Sequence, residues 1–225
     1  MARNGLQPWG VHHVSRQGFQ WTKADFEDWI ALPNPSGYYN GILKRCFDHY
    51  GLGKKCLLVS ESNRISKLMR PRYAATEFCT CDLFTELHGH ATDLIWDITQ
   101  PASANLKATS WTSIICNAVL EHVIDPTTAI SNQIEILSEG GYFFAMTHTP
   151  SFFYHAVPRD YVRFTHDYFE DLPDWLARTR GVEIELQELW SCDGYVNVCY
   201  RKLSSGAATA YGSKAQCSTT RVSKL

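Results

Sequence analysis

From Lys55 onward the sequence alternates short apolar runs with helix-patterned stretches, and few folds accommodate that rhythm. Cys56-Leu57-Leu58-Val59 is apolar throughout and too short for a helix, which is the pattern of a strand buried on both faces. The spacing predicts a helix from about Asn63 to Met69, then a strand ending near Asp82. A third strand is expected at Asp93-Leu94-Ile95-Trp96 and a fourth at Ser113-Ile114-Ile115-Cys116. The helix from Pro126 to Leu137 has a clear start, because Asp125 can cap it and Pro126 suits the first turn. Gly140-Gly141 is expected to end it before a fifth strand, Tyr142 to Met146. Strands alternating with helices give a parallel sheet covered on both faces. After a helix around Asp167 to Ala177, the segments Val182–Leu186 and Tyr195–Tyr200 alternate in polarity. They read as an antiparallel pair at a sheet edge.

The chain ahead of this rhythm is different. An aromatic, irregular stretch holds Trp9, His12, His13, Phe19 and Trp21. Thr22 can then cap a helix carrying Phe26, Trp29 and Ile30 on one face, broken at Asn34-Pro35-Ser36-Gly37. A second helix is expected from Tyr38 to Tyr50, with Ile42, Leu43 and Phe47 inward and Gly51-Leu52-Gly53 as its stop. Residues 1–53 thus read as a helical cap, 54–203 as the main domain, and 204–225 as a flexible tail of Ser, Ala, Thr and Gly.

A hydrophobic share of 44% excludes wholesale disorder, and a net charge of -2 gives no general attraction for nucleic acid. The longest apolar runs fall far short of the ~20 residues that span a bilayer. The start of the chain lacks the apolar core of a secretory signal, so an intracellular, soluble protein is expected. Its eight cysteines are spread widely, and several sit inside apolar segments as small hydrophobes. Cys79 and Cys81 precede His88 and His90, but that spacing is not one of zinc's, and no metal is assigned.

Three segments carry a resemblance. They are Ile114-Ile-Cys-Asn-Ala-Val-Leu-Glu-His-Val-Ile-Asp-Pro126, Ile136-Leu-Ser-Glu-Gly-Gly-Tyr142 and His155-Ala-Val-Pro-Arg-Asp-Tyr-Val-Arg-Phe-Thr165. With them, the chain from about Lys55 to Lys202 resembles class I S-adenosylmethionine-dependent methyltransferases that act on small molecules. The resemblance implies a Rossmann-like, doubly wound α/β fold. Its sheet would have seven mostly parallel strands with an antiparallel edge hairpin, behind the helical cap. It implies methyl transfer from S-adenosylmethionine to oxygen or nitrogen. In that family an acidic residue and a glycine-rich turn follow the first strand; here Leu58 replaces the acid, and the turn reads Val59-Ser60-Glu61-Ser62. Ser60 and Ser62 stand where glycines belong, and Glu61 puts a negative charge near the place of the cofactor's carboxylate. Weak cofactor binding, or its loss, is therefore expected. The other cofactor positions implied are Asp82 for the ribose, Asp97 and Ile98 for the adenine, and Asn117 near the reactive centre.

On the substrate side, His122, His148, His155 and His166 fall near the carboxyl edge of the sheet. His155 is the favoured catalytic residue because Arg159, Asp160, Tyr161 and Arg163 share its loop. A histidine can move protons near neutral pH, and two arginines can grip a carboxylate or phosphate. The same residues also read as an ion-pair network that fixes the loop. Three functions stay open: a small-molecule methyltransferase, a methyltransferase-fold protein turned to cyclisation or isomerisation, and a noncatalytic subunit. The expected partners are a small-molecule substrate and either a second copy or an active methyltransferase, with no nucleic acid and no membrane. Ser223-Lys224-Leu225 is the tripeptide of peroxisomal import if the source is eukaryotic; otherwise a cytoplasmic location is expected. A fluorescent fusion with this end free should then stain puncta, and deleting the three residues should disperse them.

Overall fold

In the computed structural model, which describes residues 12–17, 41–87, 89–155, 159–192 and 194–204, the apolar runs become the centre of one eight-stranded sheet. Its strands are β1 (His12–Ser15), β2 (Lys55–Val59), β3 (Glu77–Asp82), β6 (Leu94–Ile95), β7 (Trp111–Asn117), β8 (Leu137–His148), β9 (Ile184–Cys192) and β10 (Tyr195–Lys202). Strands β4 (Glu86–Leu87) and β5 (His90–Ala91) form a separate small hairpin. The strand order is β1-β9-β10-β8-β7-β2-β3-β6. The five strands from β8 to β6 are parallel, and β10, β9 and β1 add on antiparallel.

Five helices complete the described fold: α1 (Gly41–Tyr50), α2 (Asn63–Met69), α3 (Ala104–Ala108), α4 (Pro126–Ile136) and α5 (His166–Arg180). Side chains alternate across each strand, so the central strands feed two cores at once. Leu57, Val59, Ile114, Cys116, Phe143 and Ala145 face one core, with Ile130, Ile134, Phe169, Leu172 and Leu176 from α4 and α5. Cys56, Leu58, Ile115, Phe144 and Met146 face the other, under Leu43 and Phe47 of α1 and Ile65 and Met69 of α2. Helix α1 is thus a packed layer of the sheet. Cys46, Cys56, Cys81, Cys116 and Cys199 are buried free thiols, and desolvation pushes Cys56 up to about 12. Among the described residues no helix is long and apolar enough to cross a membrane.

The structure departs from the sequence expectations at definite places. The sheet has eight strands because His12–Ser15, expected to be irregular, pairs along β9 from His12↔Ser191 to Ser15↔Glu188. The hairpin of β9 and β10 therefore does not end the sheet. Ser15 Oγ donates to the buried Glu188 Oε1 at 2.5 Å, and Tyr50 OH donates to the same oxygen at 2.9 Å. Gly140-Gly141 does not end α4: the helix stops at Ile136, Leu137 is already extended, and both glycines lie within β8. The third predicted strand shrinks to Leu94–Ile95. The helix expected from Thr22, the break at Asn34–Gly37, His88 and the terminal tripeptide lie outside the described residues.

One tight junction holds β2 beside β7. Gly53 has φ +68°, and a Cβ there would lie 2.5 Å from Thr112 Oγ1 and 2.6 Å from its Cβ. That hydroxyl accepts from Lys55 N at 2.9 Å and lies 2.9 Å from the carbonyl oxygens of Leu52 and Lys55.

Candidate active site at the carboxyl edge of the sheet

In a doubly wound sheet, ligands bind beyond the carboxyl ends of the parallel strands. Ser60 and Ala118, the only non-glycine residues with positive φ among those described, follow the carboxyl ends of β2 and β7 (φ 55° and 54°). Such conformations cost roughly 1–2 kcal/mol each in an L-residue and cluster at functional sites. At Ser60 the cost is offset by two bonds to β3: its N–H donates to Cys81 O at 2.7 Å and its hydroxyl to Asp82 Oδ2 at 2.8 Å. Asp82 Oδ1 also accepts from Phe84 N at 3.1 Å. Glu61 is buried in the turn, and Ser62 precedes α2 without a side-chain cap bond.

The remaining expected cofactor residues divide. Asn117 ends β7 with a buried Oδ1 that has no hydrogen-bond partner. Asp97 closes its own turn, accepting from Thr99 N at 2.9 Å and Thr99 Oγ1 at 2.7 Å. Val59 and Ile98 belong to the core. Leu83 and Phe84 after β3, and Ile95 at the end of β6, are exposed apolar side chains.

The other half of the site centres on a residue the sequence reading passed over. Glu121 lies in a 3-10 turn (Leu120–His122) after β7, with its side chain fully buried. Its Oε2 accepts from Thr147 Oγ1 at 2.6 Å, and its Oε1 is 2.7 Å from His148 Nδ1. This second contact is of ion-pair length, yet the oxygen lies off the line along which the ring nitrogen points, so neither atom has an aligned hydrogen bond. Burial pushes the Glu121 carboxyl up, but His148 and the Thr147 hydroxyl outweigh it and hold the group below its ordinary value. Its backbone carbonyl accepts from Tyr161 N at 2.8 Å and Val162 N at 3.2 Å, which pins the loop bearing the expected catalytic residues.

His148 ends β8, stacks on Phe152 with centroids 3.7 Å apart, and meets His155 edge-on at 4.8 Å. His122 touches His155 at 4.9 Å and donates from Nδ1 to Arg159 O at 2.6 Å. Desolvation, assisted by His148, lowers the His155 pKa, while Asp160 opposes the shift. Asp160 accepts from His155 N at 3.0 Å, and its Oδ2 is 3.3 Å from His155 Nδ1. Asp160 also pairs with Arg163, which holds its carboxyl well below the usual range. Arg163 further donates to Phe153 O and Val162 O, both at 3.0 Å. Arg159 is exposed and Tyr161 is 46% exposed, so the structure brings His155 and Asp160 to the centre and leaves these two at the rim. His166 starts α5, with its Nε2 3.3 Å from Asp167 Oδ1.

One charged residue inside Val119-Leu120-Glu121-His122-Val123 was the available signal for Glu121. Nothing local announces that His148, Thr147 and Phe152 converge on it.

A family model described as "Methyltransferase domain" matches residues 37–192, well over half of the chain. The chain belongs to that methyltransferase family. Solved structures agree in fold. A SAM-dependent methyltransferase from Archaeoglobus fulgidus is 11% identical, with 78% of this chain and 98% of that one covered and a TM-score of 0.52. Phosphoethanolamine N-methyltransferase 2 of Haemonchus contortus, in complex with S-adenosyl-L-methionine, is 11% identical, with coverages of 80% and 56% and a TM-score of 0.54. The CurJ carbon methyltransferase is 13% identical, with coverages of 73% and 53% and a TM-score of 0.50. This methyltransferase domain spans about half the length of the last two chains. No curated protein matches its sequence. The fold is the Rossmann-like one of class I S-adenosylmethionine-dependent methyltransferases, as the resemblance implied.

Proposed function

We propose that this domain methylates an oxygen or nitrogen of a small molecule seated over Glu121, His148 and His155. The observation that carries the reading is the placement of this buried carboxylate–histidine cluster one strand from Ser60, at the same edge of the sheet. S-adenosylmethionine, when bound, supplies the electrophilic methyl group. The residues present fit it. Asn117 Oδ1 is a buried acceptor without a partner, and the Asp82 carboxylate keeps lone pairs for ribose hydroxyls. Leu83, Phe84 and Ile95 offer exposed apolar surface to a base. Ser60 already holds the left-handed backbone of a glycine turn. The cluster at Glu121 orients the acceptor and takes up the charge of its departing proton.

A second reading draws on Ser60 and Glu61. The Ser60 hydroxyl occupies Asp82, and the Glu61 side chain is buried beside the turn. Both features suit a domain that has given up the cofactor and performs proton transfer alone, as in cyclisation or isomerisation.

Calorimetric titration of the whole chain with S-adenosylmethionine and its demethylated product separates the two. Weak binding that tightens when Ser60 and Ser62 are both replaced by glycine is expected. Complete absence of binding, before and after those changes, would turn the assignment to the second reading. With a labelled methyl group and a panel of small alcohols and amines, His155→Ala should cut turnover by about 10²–10⁴. Its thermal midpoint should move little, because His155 is only partly buried.

A further inference from the structure

Glu121, His148 and His155 each offer one nitrogen or oxygen, and the three atoms lie within 4.8 Å of one another. In the same cluster Glu121 Oε1, His148 Nδ1 and His155 Nδ1 are all buried without an aligned hydrogen bond. Buried polar atoms are nearly always satisfied, so three of them gathered in one cluster, none with an aligned hydrogen bond, are unusual. A cation satisfies all three at once, whereas a single proton does not.

We propose that Glu121, His148 and His155 form a binding site for one divalent cation of the zinc class. Two imidazoles and a carboxylate, with no thiolate, are a ligand set that zinc accepts, and three protein ligands leave a position open for water or substrate. A tetrahedral ion with bonds of ~2.0–2.1 Å holds its ligands roughly 3.3 Å apart. The 2.7 Å contact between Glu121 and His148 is shorter than that, and the set as a whole is wider, so binding opens one pair and draws His155 inward. The groups around the ligands suit this role. Thr147 fixes the second Glu121 oxygen, Phe152 stacks on His148, and Asp160 stands beside the His155 ring. Outer partners of this kind orient metal ligands.

The inference extends the proposed function without depending on it. An ion here would acidify a hydroxyl at its open position by its charge, so that its proton passes to solvent water while His148 and His155 act as ligands rather than as bases. The site differs from the Cys79, Cys81, His88 and His90 set weighed in the sequence.

The test uses the full chain, stripped with a chelator and free of cofactor and substrate. Calorimetry with Zn²⁺, together with elemental analysis after dialysis, should give one ion per chain. His155→Ala should weaken binding by more than about 100-fold, exceeding the usual loss of an outer partner. Because Glu121 and His148 are buried, His155→Ala is the variant least exposed to unfolding, and circular dichroism confirms its fold. Co²⁺ in place of Zn²⁺ should give visible bands of a nitrogen–oxygen site that vanish in the same variant. A stoichiometry far below one would overturn the proposal. So would unchanged binding in His155→Ala, or a thiolate charge-transfer band abolished by replacing Cys79 and Cys81 with serine. None of these readouts involves methyl transfer, so a failed methyltransferase assay leaves the metal question decided on its own evidence.

Discussion

Replacing Glu121 with alanine is expected to lower the stability of the fold by about 3–5 kcal/mol, because the buried Thr147 hydroxyl and His148 ring each lose a partner at roughly 1–3 kcal/mol apiece beside the cavity left behind. The carboxylate is fully buried between Thr147 and His148, and both partners would face a cavity in its absence. Its backbone also anchors the loop through Tyr161 and Val162, so disorder at the turn would spread to Asp160 and His155. Glu121→Gln should cost clearly less, because the amide oxygen can still accept from Thr147. Urea unfolding of the three proteins provides the comparison. A loss below about 1 kcal/mol in the alanine variant would mean that the pair contributes no more than an exposed one.

Gly53→Ala should destabilise by about 2–4 kcal/mol, from two separable causes. A left-handed backbone costs an L-residue roughly 1–2 kcal/mol, and overpacking commonly adds about 1–3 kcal/mol. The new methyl would collide with Thr112, whose hydroxyl is held by the backbone on both sides of Gly53. Adding Thr112→Ala should recover only the part of the steric share that the hydroxyl and methyl cause, because the Thr112 Cβ, 2.6 Å away, stays in place. A single variant as stable as the parent would show that the start of β2 can shift away from β7 at no cost.

The sequence exposes the strands that are apolar on both faces and hides those that are not. Leu57, Leu58 and Val59 are legible because each finds a core on its own side of the sheet. His12-His13-Val14-Ser15 has one apolar residue in four, and its strand exists because β9 presents an open edge. Leu94–Ile95 and the hairpin at Glu86–Ala91 are too short for any period to show. Gly140-Gly141 resembled a helix stop, yet the change of direction occurs at Leu137. In the site, His155 and Asp160 stood out because chemistry-bearing residues crowd one loop. That Arg163 turns inward to Asp160, while Arg159 stays at the rim, is settled by the path of the loop across Glu121. Glu121 belongs to a different segment from Thr147 and His148, and the parallel pairing of β7 with β8 brings the two segments together.

The strand His12–Ser15 bears on where this protein can be cut. The stretch that matches the family begins at residue 37, so a recombinant chain trimmed to that border would leave one side of β9 without its ladder partner. Ser15 would be gone from Glu188, and a row of backbone donors and acceptors would face water. Bare strand edges recruit other chains. The shortened protein should therefore self-associate through that edge, and His12–Ser15 acts less as an appendage than as the cover of β9.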